Sequence, residues 1–397
     1  MITTGTTGSS WRASITPWGG LVTWDGRSLD WYVAADDRWH VPAHEPAVRQ
    51  IRLDGTPVTE TRLRVPHGDV VQRIYSVADA GGCTIIEIEN ESTLPVAIAF
   101  DRRDVLTERP IAAVPIEGID LPEESFVLPL GHRATLRVGV SHGGTTDGRL
   151  PDGLPTARSV VRGWTLLTDR VGRYVLPDGE RGSSLVERVV AERCETALGS
   201  IPAVTDDPAG FCVALDELTR MGERSEHWLP ELVDAVEAVG PEPGWRAEVA
   251  LAAADRVLAA AGEQRARRDL ERITRSRQVS EPPSAPPDDR FVAPWLERSL
   301  VAGGALFPRG LPTGWAGASV EAYGLPTVTG STVSFAIRWH GSRPACLWEQ
   351  SGPPAALTAP VLAPDWSTTD ATGETLWPVP PGAAPMDDPA DGPVSFA

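Results

Sequence analysis

Two stretches near the amino terminus concentrate side chains that could do chemistry. They are Trp24-Asp25-Gly26-Arg27-Ser28-Leu29-Asp30-Trp31-Tyr32 and Asp36-Asp37-Arg38-Trp39-His40-Val41-Pro42-Ala43-His44-Glu45, and five of the fourteen tryptophans fall before residue 40. Indole faces pack on apolar C–H surfaces, while carboxylates and guanidinium groups hydrogen-bond hydroxyls, a combination suited to sugars and other ring-shaped ligands. Trp31, Asp36, Asp37, Trp39 and His40 are therefore a candidate ligand rim. The competing account is that the tryptophans fill a β core and the acids solvate turns.

Further along, Asp101-Arg102-Arg103-Asp104 follows an apolar run. Arg102 and Arg103 could hold a phosphate or carboxylate bidentately, or close an ion-pair network with the flanking acids. His40 and His44, four residues apart with Glu45 beside them, have the spacing of zinc ligands on one helix face. Pro42 breaks that helix and no third spaced ligand is evident, so no metal is expected. Glycoside hydrolysis would need two carboxyls, one held protonated by an apolar setting. Glu226, in Glu226-His227-Trp228, is the best-placed acid for this, because an aromatic neighbour can raise a carboxyl pKa. Asp36 and Asp37 are the other catalytic candidates. Asp216, Glu217, Glu223 and Glu231 read as solvated helix faces. No G-x-S-x-G, P-loop or strand-linked G-x-G-x-x-G occurs, and no cofactor is expected.

The elements that must position these residues change character along the chain. From Trp11 to about Val140 the signals are strands and turns. Asp54-Gly55 marks a turn, Val58–Val65 alternates apolar with polar, and Ile86 and Ile88 face away from Glu87 and Glu89. About five helices follow, over 183–198, 211–221, 227–238, 245–261 and 263–277, with Asp206-Asp207-Pro208 starting the second and Gly222 ending it. Strand chemistry returns at 320–323, 333–339 and 345–349, with a turn at His340-Gly341-Ser342. The expected class is α+β multidomain: a disordered tail (1–10), a large N-terminal antiparallel β-sandwich (11–150), a helical domain (151–278), a Pro-rich linker (279–293), a small C-terminal β-sandwich-like module (294–350) and a Pro/Ala-rich tail (351–397).

Bulk properties narrow the function classes. The net charge is −18 and all 36 basic residues are Arg, a composition that disfavours nucleic acid and anionic membranes as partners. No apolar run reaches the roughly 18 residues of a spanning helix. The N-terminus has no basic cluster before an apolar run, and Cys83, Cys194, Cys212 and Cys346 are dispersed, so free thiols in a cytoplasmic setting are expected.

Leu311-Pro312-Thr313-Gly314-Trp315, Val320–Leu325 and Val333–Gly341 together resemble the C-terminal β cap of glycoside hydrolases and phosphorylases with an (α/α)6 helical-ring catalytic domain. Sandwich, helices and cap also follow in the same order in that superfamily. The resemblance implies carbohydrate chemistry. A complete ring of twelve helices needs on the order of 250–350 residues, and the helical stretch here is far shorter. The expectation is thus a non-catalytic or vestigial glycosidase-like protein that binds a carbohydrate or protein partner. The alternatives are an active glycosidase-like enzyme with a shortened helical domain and a structural or assembly protein.

Overall fold

The computed structural model describes residues 1–111, 115–143, 148–177, 182–275, 277, 280–327 and 330–380, the side chains of 182–184 excepted. Its class is mixed α+β, with twenty-three strands, mostly antiparallel, and seven α-helices among the described residues. The chain divides into two compact units. The first holds Met1–Leu166 with Ala197–Gly199, and the second Leu167–Thr196 with the described residues from Ser200 on.

Unit 1 contains β1 (Ile2–Gly5), β2 (Arg12–Ile15), β3 (Leu21–Thr23), β4 (Ser28–Leu29), β5 (Trp31–Ala34), β6 (Trp39–His40), β7 (Arg49–Arg52), β8 (Thr59–Val65), β9 (Gly68–Val77), β10 (Cys83–Asn90), β11 (Val96–Phe100), β12 (Leu106–Thr107), β13 (Phe126–Leu130) and β14 (Thr135–Ser141). They form three sheets, ordered β1-β2-β3-β4, β12-β14-β10-β9-β8-β7 and β13-β11-β5-β6. Side chains from all three enter one apolar core, among them Ile15, Trp31, Leu63, Ile74, Ile86, Ile98 and Phe126. The alternation expected at Ile86-Glu87-Ile88-Glu89 is present. The isoleucines are buried, while Arg73 across the strand lies 3.6 Å from Glu87 and 2.9 Å from Glu89 and Glu60 on the other face. Gly68 is required by a close approach, because a Cβ there would sit 2.6 Å from the Ser92 Cα.

Residues 1–10 are not a disordered tail. β1 pairs with β2, and Thr4 is fully buried. Its hydroxyl joins Ser76 at 3.1 Å, Ser76 joins Thr84 at 2.8 Å, and Thr84 joins His142 Nε2 at 3.0 Å, with Trp11 stacked on the imidazole. A threonine-rich segment looks unstructured in sequence because the hydroxyl that meets the buried Thr4 belongs to Ser76, 72 residues away in the chain.

Helix α1 (Ala157–Thr168) leads into unit 2, which contains β15 (Arg173–Val175), α2 (Gly182–Ala197), α3 (Pro208–Met221), α4 (Leu229–Val239), α5 (Trp245–Ala260), α6 (Gln264–Arg275), α7 (Val292–Leu300), β16 (Val301–Ala302), β17 (Ala305–Leu306), β18 (Val320–Pro326), β19 (Thr332–His340), β20 (Arg343–Ser351), β21 (Leu357–Ala359), β22 (Ala363–Thr368) and β23 (Thr372–Leu376). The sheets run β15-β18-β19-β20-β23 and β16-β17-β21-β22. Asp207 caps α3 by accepting from the Gly210 N–H at 2.8 Å, Pro208 fills its first turn, and Gly222 ends it in the left-handed conformation. Alanines 247, 250, 253 and 254 of α5 are buried, which lets α3, α4 and α6 pack closely around it.

Two helices escaped the expected five. They are α1 and α7; α7 has nine residues, opens beside a proline-rich run and packs Leu296 and Leu300 into the β core. The tail expected from 351 instead continues the fold through β21–β23. Leu357, Leu362 and Trp377 are buried, and Trp366 packs edge-on against Trp348 and Trp377. The Ala/Pro-rich composition hid these strands, and the part of the expected tail from 381 on lies outside the described residues. No described helix is long and apolar enough to cross a membrane.

Candidate functional site

In unit 1 the predicted rim separates into core and ion network. Trp31 is not a rim residue. At 1 % exposure it is core on β5, and its indole N–H donates to the Trp18 carbonyl at 2.9 Å. Alternation along β5 points Trp31 and Val33 inward and leaves Tyr32 half-buried. Trp39 is half-buried on β6 and donates to the Glu117 carbonyl at 2.9 Å. His40 is buried, with Nε2 3.0 Å from Asp37 and Nδ1 3.2 Å from Glu45, the latter without hydrogen-bond alignment. Arg38 reaches both Glu45 oxygens, at 2.6 and 3.1 Å. The His40 hydrogen bond holds Asp37 below the usual carboxylate range, and Arg38 does the same for Glu45. Asp37 is therefore a poor general acid, and Asp36 is exposed beside it in the turn. His44 is exposed in a 3₁₀ turn. Among the described residues no group of three His, Cys, Asp or Glu could hold a metal ion.

Arg102 is bound bidentately by Asp104 at 2.5 and 2.6 Å, and Asp104 also takes Arg27 at 2.7 Å. Arg103 is exposed and reaches the Ser125 carbonyl at 3.4 Å. Glu226 of unit 2 is exposed in a 3₁₀ turn, away from any enclosing apolar wall.

Unit 2 holds the denser chemistry, and it begins with a correction. Asp216 and Glu217 are not a solvated face, since each is only 3 % exposed. They sit on α3 with Arg220, facing Arg193 of α2, Glu297 of α7 and Tyr174 of β15. Arg193 lies 3.3 Å from Glu297 and 3.7 Å from Glu217, and donates to the Tyr174 hydroxyl at 3.0 Å and the Gly172 carbonyl at 2.6 Å. Arg220 bridges Glu297 at 3.0 Å and Asp216 at 3.6 Å. Burial pushes Glu217 up to about 7 against the pull of Arg193. Burial also works against the Glu297 carboxylate, but Arg220 and Arg193 outweigh it and hold that pKa down. The free space among these groups is about 10 Å³, room for one water at most.

Arg256 of α5 connects this network to a larger feature. It grips Asp216 at 2.9 and 2.6 Å from one side and lines a cleft of about 770 Å³ on the other. One wall is the α5 face that carries Glu248, Ala252, Asp255 and Ala259, and the other is the α6 face that carries Gln264, Arg267, Arg268 and Glu271. Spacings of three and four residues place each set on one side of its helix. Arg267 holds Asp255 bidentately at 2.9 and 3.1 Å. Arg298 donates to the Glu248 carbonyl at 3.3 Å and lies 3.9 Å from its carboxylate. Arg277 donates to the carbonyls of Gly240, at 2.6 Å, and Glu242. No aromatic side chain lines this cleft among the described residues. Both helices were legible in the sequence. The signal for the site was the charged stripe on each, which reads equally as solvated surface until the two stripes are seen to face one cleft.

No protein-family model, curated protein or solved structure matches the chain.

Proposed function

We propose that this chain is a non-catalytic, glycosidase-like binding protein, and that the α5–α6 cleft takes a small polyhydroxylated ligand of the carbohydrate class. In this reading the sheets of unit 1 that share a core are the N-terminal β-sandwich of the resembled enzymes, and β18–β20 belong to their cap. The observation that carries the reading is the cleft itself. It has the size of a small-molecule site and is walled by guanidinium, carboxylate and amide groups that can exchange hydrogen bonds with hydroxyls. The binding is read as non-catalytic because the carboxyl with the right pKa for a general acid is in the wrong place. Glu217 is enclosed where no sugar fits, while Asp216 and Asp255 are each neutralised by a bidentate Arg.

Saturation-transfer NMR against a panel of neutral and acidic mono- and disaccharides tests this. Binding is expected, and Ala259→Trp, which fills the cleft from an exposed position, abolishes it. A panel with no binder, or binding that survives Ala259→Trp, refutes the site. Release of reducing ends from any glycoside in the panel refutes the non-catalytic reading.

A further inference from the structure

The charges around the cleft do not cancel. Of the guanidinium groups that line it, Arg256 is matched by Asp216, Arg267 by Asp255 and, more loosely, Arg298 by Glu248. The remaining acid of the lining, Glu271, is taken by the exposed Arg275 at 2.7 Å. That leaves Arg268 and Arg277. Among the described residues Arg268 donates only its Nε–H, to the Gln264 carbonyl of its own helix at 3.3 Å. Arg277 donates to two carbonyls at the carboxyl end of α4. Among the described residues neither touches a carboxylate. Two unmatched cations therefore line one concave site in a chain whose net charge is −18. An anion in the cleft is attracted by both, and the concavity strengthens that attraction.

We infer that the ligand of this cleft carries two negative charges, as a phosphate monoester or a pair of carboxylates on a polyhydroxylated frame, and that Arg268 is its principal charged contact. This rests on the reading of the cleft as a carbohydrate site. A guanidinium fork suits phosphate and carboxylate oxygens alike. Arg268 is exposed and its terminal N–H groups meet no acceptor among the described residues, whereas Arg277 is partly spent on closing α4. A phosphate monoester carries about −1.5 to −2 near neutral pH, which matches the two unpaired groups. The absence of a lining aromatic fits the same conclusion, since charge and hydrogen bonds replace stacking as the source of affinity.

Calorimetry on the full chain with glucose, glucuronate, glucose 6-phosphate and glucarate tests the inference. The two dianions are expected to bind at least tenfold more tightly than glucose, with glucuronate between, and to weaken as NaCl rises from 50 to 300 mM. Arg268→Gln removes most of that advantage, weakening both dianions at least fivefold more than it weakens glucose, while Arg268→Lys restores part of it. Glucose 6-phosphate against glucarate tells the two sources of dianion apart. Equal affinity for glucose and both dianions, insensitive to Arg268→Gln, overturns the inference and leaves the carbohydrate reading standing. No binding by any of the four probes overturns both.

Discussion

Replacing Glu217 by Gln removes a carboxylate from a buried ion network, and the expected result is a gain in stability at alkaline pH. The reason lies in the balance at that residue. Glu217 is 3 % exposed, its Oε1 accepts no hydrogen bond from a described residue, and the nearest described cation, Arg193 Nε, is 3.7 Å away. Burial wins, and the pKa rises from 4.5 to about 7. Between those values the folded chain holds a proton on Glu217 that the unfolded chain has released, so stability falls as pH rises through the window. A shift of that size is worth about 3 kcal/mol. Gln mimics the protonated acid in shape and charge. Glu217→Gln should therefore match the natural chain below pH 4.5 and exceed it by about 3 kcal/mol at pH 8. Urea unfolding followed by helical ellipticity, which reports the helices of unit 2, measures this as a midpoint higher by about 1 M or more at pH 8. If the difference between the two proteins does not change from pH 4.5 to 8, Glu217 does not take up a proton in that range. If Glu217→Gln is the less stable at pH 8, the attraction of Arg193 outweighs the burial cost and the reasoning fails.

Two other predictions follow from burial and capping. Trp31→Ala should destabilise unit 1 by about 3–5 kcal/mol, the cost of a large cavity, whereas Trp39→Ala, at a half-buried position, should cost much less; paired urea titrations separate them. Asp207→Ala should cost about 1 kcal/mol in unit 2 by removing the acceptor for the Gly210 N–H, seen as a lower midpoint in the same titration.

Much of the local structure was legible because it follows from period and punctuation. Alternation located β8 and β10, Asp207-Pro208 and Gly222 bounded α3, and His340-Gly341-Ser342 marked the turn of the β19–β20 hairpin. These signals act within a few residues, and the chain reads them before it folds.

Composition was a poorer guide where distant partners decide the outcome. The threonines of β1 and the alanines and prolines around β21 looked like tails, and became ordered through contacts far away in sequence. The aromatic and acidic run at Trp31–Glu45 looked like a ligand rim, yet pairing with β11 fixed which face of β5 was buried and sent Trp31 into the core. Asp216 and Glu217 carried the opposite surprise. Acids on a helix in a chain of −18 are ordinarily solvated, and nothing local distinguishes these two from Glu223 or Glu231. By itself, then, the sequence determined the α+β class, most element positions and the charge excess. Only the tertiary structure decided which charged stripes became surface, which became a buried ion network and which two came to wall one cleft. The physical reason is that a charge's partners, and hence its energy, depend on the packing of helices whose spacing in sequence says nothing of it.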